Sequence, residues 1–102
     1  MAKYQQTTIS NQTEATIVTA TSGTRHSLQG LFIANTGATA ATVTIKDGTS
    51  GTTVLKVYCP ATDNAGAMFA VPIEQAAANA NWTATANATT TLEVTALFRN
   101  DP

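Results

Sequence analysis

Along residues 41–57, ATVTIKDGTSGTTVLKV, branched apolar residues alternate with threonines, stop at a glycine-rich turn and alternate again. Ala41, Val43 and Ile45 fall on one face, and Thr42, Thr44 and Lys46 on the other. Successive side chains of a strand point to opposite faces, so this period of two predicts half-buried strands over 40–47 and 52–58. The turn at 48–51 closes a hairpin, with glycines available for positive φ.

The same pattern recurs elsewhere. EATIVTAT (14–21) predicts a strand ended by Ser22-Gly23. SLQGLFIAN (27–35) predicts another, apolar on both faces, with Leu28, Phe32 and Ala34 on one side and Leu31 and Ile33 on the other. Such a strand is central in its sheet or pressed against a second protein surface. CPATDNAGA (59–67) reads as the longest irregular stretch, before a strand at 68–74 whose Pro72 demands a sheet edge or a bulge. QAAANANW (75–82) has room for a single helical turn. WTATAN (82–87) and TTLEVTALFRN (90–100) form a final pair about an Ala88-Thr89 turn. Seven to eight short strands predict an all-β domain over 14–102, an antiparallel β-sandwich of jelly-roll-like form. The polar segment 1–13, MAKYQQTTISNQT, reads as an extended N-terminal arm, either unordered or tied against a neighbouring chain.

Composition narrows the role. Leu, Ile, Val and Phe make up about 19% of the 102 residues, but the net charge of -1 lacks the charge excess that goes with disorder. Threonine supplies about a fifth of the chain and suits a strand face turned to water or to another protein. Charged residues are 11%, against about 25% in ordinary soluble domains, which points to a protomer that buries surface against neighbours. The basic residues Lys3, Arg25, Lys46, Lys56 and Arg99 are scattered, so no patch for nucleic-acid phosphates is expected. No apolar run has membrane-spanning length, and the opening MAKYQQTTIS lacks the apolar core of a signal peptide. With Met1 in first place, the expectation is a complete chain made in a cytoplasm, without a membrane partner.

Reactive chemistry is sparse. The single Cys59 excludes an internal disulfide and reads as a small, largely buried strand-end residue before Pro60. His26, the only histidine, sits beside Arg25 in an expected loop, with no legible Ser/His/Asp arrangement, and reads as an exposed or interface residue. One Cys and one His fall short of a zinc site without carboxylates. Glu14, Asp47, Asp63, Glu74, Glu93 and Asp101 are spread along the chain, and no pair is placed across one cleft. DGTSG and TDNAG lack the ligand spacing of calcium loops; Asp47 reads as a turn residue, and Asp63 and Asn64 offer at most loop oxygens to a cation. No catalytic residue, cofactor or metal is therefore expected, and the protein reads as a non-enzyme. The sequons at Asn11, Asn81 and Asn87 are expected by chance in so threonine-rich a chain. Phe32, Phe69 and Phe98 read as core, whereas Tyr58 and Trp82, at strand ends, read as stacking platforms for a sugar or as interface aromatics.

Residues 14–99 resemble the short threonine- and alanine-rich β-sandwich proteins encoded among bacteriophage structural genes. The likeness is carried by RHSLQGLFIANTGATAATVTIKDGTSGTTVLKV (25–57), AMFAVPIE (67–74) and TTTLEVTALFRN (89–100). Proteins of that kind include capsid decoration or cement proteins, commonly trimers, and head-fibre or tail-associated domains. The resemblance implies a virion protein made in the host cytoplasm and seated on the phage head, with the major capsid protein and further copies of itself as partners. The arm at 1–13 fits such embracing contacts, which makes Lys3, Tyr4, Gln5 and Gln6 candidate capsid or subunit contacts. The alternative is a carbohydrate-binding β-sandwich of a fibre or adhesin, using Tyr58 and Trp82.

Overall fold

The computed structural model describes residues 2–101. Among them are eight strands, β1 (Ala2–Ile9), β2 (Ala15–Val18), β3 (Arg25–Asn35), β4 (Ala41–Asp47), β5 (Thr52–Cys59), β6 (Asp63–Ile73), β7 (Trp82–Ala86) and β8 (Leu92–Asp101), and no helix. They form two antiparallel four-stranded sheets, β1-β8-β3-β6 and β2-β7-β4-β5, which is the predicted β-sandwich. The innermost pair is the β4–β5 hairpin; outward from it β3 pairs with β6, β2 with β7 and β1 with β8. The chain is thus one long hairpin rolled across both sheets.

Both sheets contribute to one core. Ala41, Val43 and Ile45 of β4 point inward as their alternation predicts, and meet Ile17, Val18, Trp82, Leu92 and Val94 in a single buried cluster. Ala84, Ala86 and Ala96 are also buried there. Small residues among large ones let Trp82 sink between sheets that pack closely. In the β4–β5 turn Gly48 takes positive φ (93°), and the second left-handed position is Ser50 (55°), where a glycine was expected.

The expected facing of 27–35 is corrected by a bulge. Between Leu28 and Gly30 the pairing of β3 with β8 advances two residues on β3 for one on β8, so Gln29 is an extra residue. An inserted residue flips every side chain beyond it to the opposite face. Leu28, Leu31 and Ile33 therefore all face the core, while Phe32, expected inside, is 43% exposed on the outer face. Opposite the same place, β6 carries Phe69–Pro72 unpaired between Met68 and Ile73, so Pro72 lies both on an edge strand and in a bulge.

Three further boundaries differ from the sequence reading. Residues 63–67 are not irregular: β6 begins at Asp63, because pairing with β3 from Asn35 onward overrides the weak strand preference of Asn, Ala and Gly. β7 and β8 do not form a hairpin; β7 lies in one sheet and β8 in the other. No residue of 87–91 has the positive φ that a tight hairpin needs, and Asn87 and Thr90 anchor this crossover to opposite sheets through Thr42 and Asn35. The single helical turn expected at 75–82 is absent. Gln75 Oε1 instead accepts the His26 N–H (2.8 Å), its Nε2 donates to the Ala80 carbonyl (2.8 Å), and Asn79 adopts a left-handed φ of 64°.

Most of the N-terminal segment expected as an arm lies in the chain's own sheet. β1 pairs with β8 from Ala2↔Arg99 to Ile9↔Leu92, and Ile9 is buried in the core. A polar strand is held here by its backbone ladder and one apolar anchor. Deleting residues 1–9 is therefore expected to destabilise the whole sandwich, and Ile9→Ala alone to cost about 2–5 kcal/mol. Chemical denaturation followed by circular dichroism checks this; an unchanged midpoint for both variants contradicts it.

Candidate functional site

The expected contact residues of β1 separate by face. Directly paired residues of antiparallel strands share a face. Tyr4 pairs with Leu97 and Gln6 with Thr95, which places both on the outer face of the first sheet. Lys3 pairs with the buried Phe98 and Gln5 with the buried Ala96, so they stand on the opposite side. Gln5 is already used within the chain, its Oε1 accepting the Thr19 N–H at 2.9 Å, and Thr7 Oγ1 donates to the Thr16 carbonyl at 3.2 Å. These two bonds close the sandwich along its β1–β2 side. Tyr4 (72% exposed) and Gln6 remain open to a partner.

Trp82 cannot stack on a sugar. It is fully buried, and its indole N–H donates to the His26 carbonyl at 2.8 Å. His26 is likewise buried, against the expectation of an exposed residue, because it belongs to β3 and not to a loop. Its Nε2 lies 3.2 Å from Thr21 Oγ1, its ring meets Phe98 edge-on at 5.1 Å, and its Nδ1 has no hydrogen-bond partner. Tyr58 is 63% exposed at the edge strand β5 and stays available. Cys59 is buried at the end of β5, and burial pushes its thiol upward against a smaller opposing effect of Asn35. Asp63 Oδ1 accepts the Asn64 N–H (2.8 Å), and among the described residues no three His, Cys, Asp or Glu side chains gather as a metal centre.

Two surface features stand out. The first is the β5–β6 mouth of the sandwich, where Leu55, Val57 and Phe69 are only partly buried and a groove of about 330 Å³ reaches down to Leu31. Along β6, from Asn64 to Ile73, no residue is charged and none is buried; Met68 is 60% and Val71 79% exposed. Natural edge strands are usually blunted by charge, proline or bulges. Here Pro72 and the bulge protect only the C-terminal end, leaving Asn64–Met68 as paired strand with a bare outer edge.

The second is a shallow groove of about 530 Å³ on the outer face of the first sheet, lined by Gln6, Phe32, Asn64, Glu93 and Thr95. The β3 bulge turns Phe32 to this face, opposite to the core placement expected from parity. Beside it, a Cβ on Gly66 would lie 2.2 Å from the Leu31 carbonyl oxygen and 3.0 Å from Phe32 Cδ1, so only glycine fits there. Phe32 thus fills the place of a missing side chain, as aromatic residues do over strand glycines.

Sequence reasoning also missed Glu14. Its carboxylate accepts bonds from Thr83 Oγ1 (2.6 Å) and from the Ser50 N–H (2.9 Å), joining the start of β2 to β7 and the β4–β5 turn. The Thr83 hydroxyl first, then the Ser50 amide, hold the Glu14 carboxyl below its ordinary range despite some burial. No protein-family model matches the chain, and no curated protein sequence matches it.

Two outcomes follow from these environments. A carboxyl whose folded-state pKa is lowered contributes its full stability above the unfolded value, about 4.3, and loses it as pH falls through the folded value. Glu14→Gln is therefore expected to reduce stability at pH 7 and to flatten its decline below pH of about 4.3, measured by urea titration across pH. For Cys59, a water-soluble disulfide reagent at neutral pH is expected to react only after denaturation; prompt labelling of the native protein contradicts the buried placement.

Proposed function

We propose that this chain is a non-enzymatic virion structural protein, a capsid decoration protein that seats on an assembled phage head as a homo-oligomer and stabilises it. The carrying observation is the exposed, uncharged stretch of β6 beside the apolar β5–β6 mouth. An open edge of this kind is stable in solution when another chain covers it. The low overall charge and the resemblance of residues 14–99 to phage structural β-sandwich proteins support the same reading. So does the rolled strand pairing, which fits a jelly-roll form.

In this proposal β6 and the mouth make the contacts between copies, three copies form the unit, and the outer edge of β1 with Tyr4 and Gln6 meets the major capsid protein. Repeated seating of a symmetric unit accumulates modest contacts into firm attachment. The protein acts at the virion surface after synthesis in the host cytoplasm.

Light scattering on the purified protein and co-sedimentation with undecorated capsids test the proposal. The expected result is an oligomer that binds capsids. Ala67→Lys with Val71→Lys, at exposed positions, is expected to leave a folded chain whose self-association is weaker by about tenfold or more. A stable monomer that ignores capsids overturns the reading.

A further inference from the structure

We propose that the groove around Phe32 is a binding site for neutral pyranose oligosaccharides. The argument starts from the register of the first sheet. One row across its outer face runs Gln6, Thr95, Phe32, Gly66; the next runs Thr8, Glu93, Ala34, Asn64. Neighbouring strands stand about 4.8 Å apart and successive same-face residues about 6.7 Å apart. Phe32 is therefore flanked diagonally by Glu93 and Asn64, roughly two strand spacings from one another. Between those two lies only Ala34, and on the β6 side of the ring only Gly66, so small residues create the hollow and an aromatic residue bounds it.

The dimensions and chemistry fit one kind of ligand. A sugar ring presents an apolar C–H face and a rim of hydroxyls that both donate and accept. The exposed ring of Phe32 offers the apolar partner, and Gln6, Asn64 and Thr95 line the groove with side-chain amide and hydroxyl groups that have no hydrogen-bond partner among the described residues. Glu93 accepts from Thr8 Oγ1 at 2.9 Å through Oε2, which fixes its carboxylate and leaves acceptor capacity for a ligand hydroxyl. A few placed polar groups around an apolar floor are the usual make-up of a small-ligand site.

Other ligands fit less well. No lysine or arginine lines the groove, and the Glu93 carboxylate disfavours phosphates and acidic sugars. An extended peptide finds its free ladder on the outer edge of β6, at the rim of the groove and not on its floor, where β8 and β3 are interior strands already paired on both sides. The site is distinct from the one suggested by Tyr58 and Trp82; because Gln6 and Asn64 also border the contacts proposed for assembly, it is tested on the protein free of capsids.

The experiment is an amide-resonance titration of the full chain with neutral glucose, mannose and galactose oligosaccharides, beside a sialylated one. The expected result is millimolar binding of a neutral chain, with shifts centred on Gln6, Phe32, Asn64, Glu93 and Thr95. Phe32→Ala is expected to weaken it about tenfold or more while the chain stays folded and keeps its oligomeric state, with a lower thermal midpoint because Gly66 loses its cover. Asn64→Ala is expected to weaken it without removing the ring, which guards against a structural effect of the first variant. Absence of shifts with every neutral sugar, shifts elsewhere, stronger binding of the sialylated chain, or indifference to both substitutions overturns the proposal.

Discussion

The extra residue at Gln29 sets the facing of the longest interior strand, and much of the molecule follows from it. With Gln29 accommodated as a bulge, Leu28, Leu31 and Ile33 all reach the core. Without it, Leu31 and Ile33 would share the core face only if Leu28 left it. The partner strands adjust differently. β8 runs on without interruption, Phe98 and Leu97 pairing with Leu28 and Gly30, whereas β6 bows out over Phe69–Pro72. That bowing exposes Val71 and opens the β5–β6 mouth, and the same inserted residue delivers Phe32 to the outer groove. Core, edge and groove are thus three consequences of one irregularity in a ladder.

Side-chain amides do a second kind of work, standing in for regular structure at both ends of the sandwich. Asn35 is buried, donating to the Thr39 carbonyl and accepting from Gly37 and Thr90. Asn81 Oδ1 accepts the Ala20 N–H, Asn79 Oδ1 the Gly23 N–H and Asn87 Oδ1 the Thr42 N–H. The Ala20 bond is partly buried and the other two are exposed, so they order loop backbone near the surface and contribute less than buried bonds would. Two of these asparagines head glycosylation sequons, and in this fold their side chains are committed to the backbone. A chain with few charges therefore keeps its loops ordered by neutral hydrogen bonds, which salt screens little.

The fold was legible where alternation ran unbroken, as in β4, whose inward and outward residues read correctly by parity. It failed where an inserted residue changes parity, since nothing in SLQGLFIAN marks Gln29 as unpaired. It failed again in DNAGA, where pairing imposed by β3 makes a strand of weak strand formers. Of the candidate contacts, Tyr4, Gln6 and Tyr58 are exposed, while Gln5 is spent internally and Trp82 is buried. The groove was beyond sequence reasoning because Gln6, Phe32, Asn64 and Glu93 meet only through the order of four strands. The clamp formed by Glu14 was hidden for the same reason, its partners lying on a distant turn and strand.

The rolled pairing also bears on time. The β4–β5 hairpin needs only a short loop to close, but β1 pairs with β8 across nearly the whole chain, Ala2 meeting Arg99. Contacts so remote in sequence form late, because the closure entropy must be met before they contribute. Nascent chains therefore hold β1 and β3 as unfinished edges until β8 leaves the ribosome. Contacts that form last slow unfolding when they are strengthened, so the anchor at Ile9 bears on how long the folded form persists.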